Sequence, residues 1–305
     1  MVAPLPRQMH VFVRDWLSSN NILLKSPDGH VLIDTGYVRH AELTLALLRS
    51  QRGLGDAPLS KIVNTHCHSD HIGGNATIQR AYNCGIALPE GEAPLIARWD
   101  TKALWLDYAD QRTDRFAADE ILCAGSTYIW GNLEWRAIMA PGHDMGALVF
   151  YNPEYRILIS GDALWENGFG LVMPRAVEPD ALPATRATLD TIAALDVRVV
   201  IPGHGQAFTD AAAALTRAYA RVAAFEADDA RVARHALKVL LTFQLLDRQR
   251  MPVADLPAYV EHVGMFRDIN AACLRLPPDA LAELLVRELV RAGAVSVQDE
   301  FLVPN

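Results

Sequence analysis

Between Asn64 and Gly74 the chain reads NTHCHSDHIGG, three histidines and a carboxylate within six residues directly after the apolar run SKIV. Ionisable groups this close are costly to enclose unless they are paired, so any fold that buries the stretch must bring it partners. The choice is between a hydrogen-bonded polar turn and the first half of a metal site. Three later turns offer the missing half: His143 in APGHDMG, Asp162 in ISGDALW and His204 in IPGHG, each after a predicted strand and beside glycine or proline. A fold that joins these strand ends assembles His66, His68, Asp70, His71, His143, Asp162 and His204. Spacing by itself leaves that convergence open.

The flanking pattern says what kind of fold could do it. HVFVRD from His10, NNILLKS from Asn21 and HVLIDTG from His30 are short apolar runs separated by turn residues, which predicts antiparallel strands. HAELTLALLRSQR has leucines at helical spacing, SKIVNT reads as a strand that delivers His66 to its end, and NATIQRAY and CGIALPE read as helix and strand. PLIARWDTKALWLDYADQRTDRFAADE has helix-forming residues interrupted by Trp99, Trp105 and Tyr108, which either pack a peripheral helix or cover a substrate. STYIWGNLEWRAIMAPG, GALVFYNP and YRILISGD form a second strand group, followed by a helix in DALPATRATLDTIAAL and a strand in VRVVIPGHG. Strands with inserted helices, then strands closing on a helix, suit an α+β chain of two sheets protected by outer helices better than a parallel sheet alone. At 305 residues, 51% of them apolar, the chain has room for such a core and a second small unit. From about residue 220 the pattern turns helical and ends in AVSVQDEFLVPN, a hairpin candidate. The expected division is 1–219 for the catalytic unit and 220–305 for a small helical or winged-helix-like one.

Neutral imidazoles and ionised carboxylates suit zinc, and seven such side chains crowd one ion but divide naturally between two. The expected cofactors are two divalent transition metal ions per chain, zinc first, with iron or manganese left open. THCHSDHIGG and the later GH, GD and GHG turns closely resemble the metallo-beta-lactamase fold superfamily, over roughly Met9 to Ala212. The resemblance implies a four-layer αβ/βα sandwich with the site at one edge of its two sheets. It also implies that His66, His68 and His143 hold one metal, that Asp70, His71 and His204 hold the other, and that Asp162 bridges them. Asp34 in LIDTG matches a family aspartate that organises the first loop, and Gly73 and Gly74 are expected to permit a sharp loop and a close helix approach. Cys67 is expected to point away from the metals.

Such a site implies hydrolysis: a hydroxide bridging two metals attacks a carbonyl or phosphoryl centre, with Asp70 as the catalytic group that orients the water or moves its proton. Asp162, rather than cysteine, at the shared turn disfavours the family's antibiotic-degrading branch and leaves an ester, thioester or lactone as the expected small-molecule substrate. A metal-dependent phosphodiesterase or nuclease is the enzymatic alternative; a non-enzymatic binding or oligomerisation module built on the terminal helices is the other. Net charge is −8 and pI near 5.7, and residues from Arg221 onward carry 10 basic against 12 acidic side chains, so nucleic acid is not an expected partner. Tyr37, Trp105, Tyr108, Trp165 and Phe169 are candidates for an apolar substrate wall or for core packing. Arg175 could meet an acidic substituent or stay on the surface. No signal segment or membrane-spanning run is apparent, so the expectation is a cytoplasmic protein with no membrane partner, self-association being left open. Cys67, Cys84, Cys123 and Cys273 form no CxxC pair and read as isolated thiols.

Overall fold

Strand residues alternate between two different cores, and this alternation sets the architecture. The computed structural model describes residues 5–305. Its first sheet has six strands in sequential order: β1 (Met9–Phe12), β2 (Asn21–Leu24), β3 (His30–Ile33), β4 (Leu59–Val63), β5 (Gly85–Pro89) and β6 (Glu120–Leu122). The second runs β11-β10-β9-β8-β7, from β7 (Thr127–Trp130), β8 (Leu133–Met139), β9 (Leu148–Asn152), β10 (Ile157–Gly161) and β11 (Val199–Pro202). Ile22, Leu24, Val31, Ile33 and Val63 face Leu148, Phe150, Ile157, Ile159, Val199 and Ile201 in the layer between the sheets. Their neighbours Leu23, Leu32 and Ile62 pack instead on Leu48 and Ile78, from helices Ala41–Arg49 and Asn75–Tyr82. On the far side Val149, Leu158 and Val200 pack on helices Ala181–Ala193 and Ala211–Glu226 through Leu189, Ile192, Ala218 and Val222. Period-two side chains with both faces covered give four layers, helices outside and sheets inside, in agreement with the expected sandwich.

The first sheet is mixed. β1, β2 and β3 are antiparallel as predicted, but β3, β4, β5 and β6 run parallel. The helices inserted after β3 and β4 are the crossovers that parallel neighbours require. In the second sheet β8 and β9 are antiparallel, β9 and β10 are antiparallel, and β10 and β11 are parallel, so β8, β10 and β11 all point the same way. Their C-terminal ends therefore share one edge.

Residues 90–119 contain less helix than their composition predicts. Only Ala93–Arg98 and Leu106–Ala109 are helical, and Trp99, Trp105 and Asp110 interrupt the segment with left-handed backbone (φ 55°, 56° and 58°). Each such residue ends or offsets a turn, so the helix cannot propagate.

A division after residue 219 passes through the middle of helix Ala211–Glu226. Beyond it, helix Asp229–Arg248 leads into β12 (Met251–Pro252), two short helices, helix Pro278–Arg291 and the hairpin of β13 (Val295–Gln298) and β14 (Phe301–Pro304). The three strands pair in the order β12-β14-β13, so this largely helical C-terminal region closes on a small sheet. Its core of Leu237, Leu241, Phe266, Leu285 and Leu302 also takes in Leu171, Met173 and Ala109 from the preceding fold. Among the described residues, no helix is long and apolar enough to cross a membrane.

Candidate metal centre

The seven candidate side chains arrive on strand ends. His66 and His68 follow β4, Asp70 and His71 lie on the single helical turn Ser69–Ile72, His143 follows β8, Asp162 follows β10 and His204 follows β11. The structure brings all seven together. One potential ligand atom from each of His66, His68 and His143 falls within 4.8 Å of the others; the same holds for His66, His71 and Asp162, and for Asp70, His71 and His204. Asp162 lies between the groups: Oδ2 is 3.4 Å from His143 Nε2 and 3.8 Å from His204 Nε2, and Oδ1 is 3.4 Å from His71 Nε2. Asp70 Oδ2 is 3.0 Å from His204 Nε2.

Neighbouring groups choose which imidazole nitrogen each histidine presents. His71 donates Nδ1–H to Asp34 Oδ2 at 2.8 Å, and His143 donates Nδ1–H to the Leu171 carbonyl, which turns both Nε2 atoms toward Asp162. His68 instead brings Nδ1 to within 2.8 Å of His143 Nε2. The buried Nε2 atoms of His66 and His71 have no hydrogen-bond partner. Unsatisfied nitrogens at this depth are expensive, and a cation shared among them satisfies them. The donor set therefore fits the metal pair it resembles: five imidazoles and two carboxylates form a dinuclear metal-binding site.

The imidazoles at the site are not all shifted in one direction. Burial, reinforced by His71, holds His66 well below the usual imidazole range, and burial with His143 does the same for His68. Both are neutral and ready to donate a lone pair. Burial disfavours charge on Asp162, but His204 and His71 outweigh it and hold the carboxyl well below its usual range. His71 is likewise disfavoured by burial, yet Asp34, Asp162 and Asp70 raise it.

Asp34 organises the first loop, as its position in LIDTG suggests. Besides His71 it accepts from Thr65 N at 2.9 Å and Thr65 Oγ at 2.8 Å, while its own backbone is left-handed at φ 56°. Strain of this kind persists where surrounding bonds over-determine the conformation. Gly73 and Gly74 do not use special backbone angles; a Cβ would fall 2.2 Å from Val38 N at the first and 2.7 Å from the Thr35 carbonyl at the second, so close approach is their function. Gly203 behaves similarly, since a Cβ there would lie 2.2 Å from Asp162 Oδ1. Cys67 faces away into the apolar layer under the first helices.

The aromatic candidates separate into two groups. Tyr37 and Phe169 are core residues and do not wall the site. Arg175 is exposed, and its backbone N–H contacts Asp229 at 3.3 Å. Trp105 stacks on His68 with centroids 4.3 Å apart, and Trp165 meets His204 edge-on at 5.3 Å while donating Nε1–H to Asp162 Oδ1 at 3.2 Å. The segment carrying Trp105 thus covers the site rather than forming a peripheral helix.

Sequence reasoning missed three neighbours. Trp16 lies parallel to the His204 ring, 5.5 Å away and 60% exposed; nothing in RDWLSS marks it. Asp144 Oδ2 is 3.6 Å from His68 Nε2, and its position next to His143 in APGHDMG was the available clue. Glu92, in PEGEAP, is buried beside Asp144, and its carboxyl is pushed up to about 9 by burial and by that neighbour; no local pattern indicates it.

Comparison with known proteins agrees with this geometry. The chain is 32% identical over 120 residues to a hydroxyacylglutathione hydrolase of Hyphomonas neptunium, covering 39% of this chain and 40% of that protein. It is 28% identical over 112 residues to one of Bdellovibrio bacteriovorus, covering 37% of each. The matches thus span about 40% or less of these curated relatives. A metallo-beta-lactamase family protein of Thermus thermophilus has the same fold over 99% of this chain and 100% of its own, with TM-score 0.60 and 21% identity. The metallo-beta-lactamase MIM-1 of Novosphingobium pentaromativorans superposes over 68% of this chain and 85% of its own, with TM-score 0.53 and 23% identity. The metallo-beta-lactamase superfamily pattern matches residues 14–204, more than half of the chain, and the chain belongs to that superfamily.

Proposed function

We propose that this protein is a dinuclear, zinc-dependent hydrolase of a carboxylic ester, thioester or lactone. The observation that carries the proposal is the meeting of two ligand groups, His66/His68/His143 and Asp70/His71/His204, across the single carboxylate of Asp162. In this reading the first group would hold one ion and the second the other, with Asp162 available to both. When bound, such ions acidify water toward a pKa of about 7 and polarise a carbonyl oxygen. The imidazole-rich donor set favours zinc over harder cations. The relatives named as hydroxyacylglutathione hydrolases support a thioester among the candidate substrates.

The chain's own residues then have defined tasks. Asp70, 3.0 Å from His204 Nε2, orients the attacking water and takes or returns its proton. Asp34 fixes the tautomer and direction of His71. Trp165 donates to Asp162 and so limits the carboxylate's rotation. Catalytic and C-terminal units divide most naturally in the turn after Glu226, where one long helix ends before the next begins at Asp229.

Elemental analysis with chelation tests the reading. We expect about two equivalents of zinc per chain, loss of ester and thioester hydrolysis on chelation, and recovery on adding zinc. A metal-free preparation with full hydrolytic activity would falsify it.

A further inference from the structure

A cavity of about 610 Å³ opens beside His68 and His143 and runs away from the ligand cluster, a volume typical of small-molecule sites. Its wall includes Leu95, Trp105, Tyr108, Met145, Met173 and Val177. Trp105, stacked on His68, forms the first apolar surface beyond the place where a reacting carbonyl would sit. Met173 is buried and Met145 is 44% exposed, so flexible thioethers occur both at depth and at the rim.

The charges along this cavity are selective. Lys102 supplies the ammonium of the lining, and it sits 5.2 Å over the Tyr108 ring. Four carboxyl groups join it: Glu92, Asp100, Asp144 and Glu178. Burial and Asp144 keep Glu92 protonated at neutral pH and Arg98 pairs with Asp100 at 3.2 Å, which leaves Asp144 and Glu178 beside the single ammonium. A tail ending in carboxylate or phosphate would enter against this excess and leave water to do so. An uncharged hydrocarbon tail gains apolar surface and meets no such penalty.

We infer that the cavity is an acyl-chain pocket, and that the substrates are esters or thioesters of uncharged, medium-length acyl groups rather than of acyl groups bearing a second acid. The inference rests on the hydrolase reading above. In the reaction, water adds OH to the acyl carbon, the C–S or C–O bond breaks, and the leaving thiol or alcohol keeps the other proton. The chain lies along Trp105 and Val177 toward Met173 while the carbonyl remains at the metal centre. The C-terminal region holds one side of the pocket, because Tyr108 donates its hydroxyl to Asp268 at 3.0 Å and Gly264 packs under the same ring.

The test uses the zinc-loaded full chain with N-acetylcysteamine thioesters and 4-nitrophenyl esters of acetyl, butanoyl, hexanoyl and octanoyl groups, beside the half-esters of the eight-carbon diacid. We expect kcat/KM to rise about threefold to fourfold per methylene over the first members. The octanoyl substrate should exceed its carboxyl-ended counterpart by at least about tenfold. A flat series, or preference for the carboxyl-ended substrate, overturns the pocket. Calorimetry on metal-free protein gives an independent arm: octanamide should bind at least about tenfold more tightly than acetamide, and Val177→Trp should weaken octanamide. Equal binding of the two amides also overturns the pocket. Loss of all metal-dependent hydrolysis with octanamide binding retained overturns the hydrolase reading and leaves the pocket standing. Should Val177→Trp fail to fold, the wild-type series and the amide pair still decide.

Discussion

The ligand cluster and the segment from Trp99 to Arg112 face each other across His68, yet they are held in different ways. Every cluster side chain leaves a strand end or the turn beside it, and its orientation is fixed within the sandwich, as His71 is by Asp34 and His143 by the Leu171 carbonyl. The covering segment has little regular structure, and its anchors lie far along the chain. Gln244 donates to the Asp110 carbonyl at 2.6 Å, Tyr259 donates to Asp110 Oδ2 at 3.1 Å, and Arg112 donates to Asp247 at 2.9 Å. Asp247 also accepts from the Tyr37 hydroxyl at 3.1 Å, joining sandwich, cover and C-terminal helix at one carboxylate. The reactive centre thus belongs to the sandwich, while the wall that selects a substrate depends on the C-terminal region. Chemistry and selectivity should therefore fail separately.

The largest effect should come from breaking the centre itself. Asp162→Ala removes the carboxylate between both groups, and kcat on any ester or thioester should fall by at least about 10³-fold, with metal content below two equivalents by elemental analysis. Asp34→Ala leaves all seven ligands present but releases His71; affinity for metal, read by competition with a chromophoric chelator, should fall about 10- to 100-fold. Retention of wild-type affinity would mean that the Asp34 bond does not orient the ligand. Across the divide, Asp247→Ala strands the buried Tyr37 hydroxyl and releases the exposed Arg112 side chain. Chemical denaturation should show a loss of about 1–3 kcal/mol, while metal stoichiometry stays at two. If that variant loses metal, the two regions are not separable.

The smallest effect concerns His235 on helix Asp229–Arg248, packed beside Phe225 and lowered to about 4 by burial and then by Arg221. Its folded-state pKa lies below its unfolded value of 6.5, so between those values the unfolded chain binds the extra proton. Stability from this group is present above pH 6.5 and falls as pH drops toward 4. The melting temperature of wild type should decline more steeply across that window than that of His235→Gln. Parallel profiles would show that burial of His235 does not matter to acid stability.

Much of the centre was legible because its signals are local. HCHSDH carries four candidate ligands within six residues, and His143, Asp162 and His204 each stand just past an apolar run. LIDTG marked Asp34 for the same reason. Tyr37 and Phe169 were ambiguous because an aromatic ring suits a core as well as a substrate wall, and only burial separates the uses. Trp105 was visible as an interruption of charge, but its stacking on His68 was not. Glu92 and Asp247 carried no mark, since each acquires meaning from a partner distant in sequence; Tyr37 and Asp247 are 210 residues apart.

Donor chemistry and the two-sheet sandwich were already written in the amino-acid order, because ligand type, turn punctuation and period-two apolar runs each occupy a few residues at a time. It took the folded chain to show that β8, β10 and β11 end at one edge beside the β4 loop and that Trp105 and Trp16 lie against opposite histidines. The same is true of the largely apolar cavity with acidic residues in its lining that opens beside His68 and His143. These features depend on strand direction and on contacts between residues far apart in the chain, which no local pattern encodes.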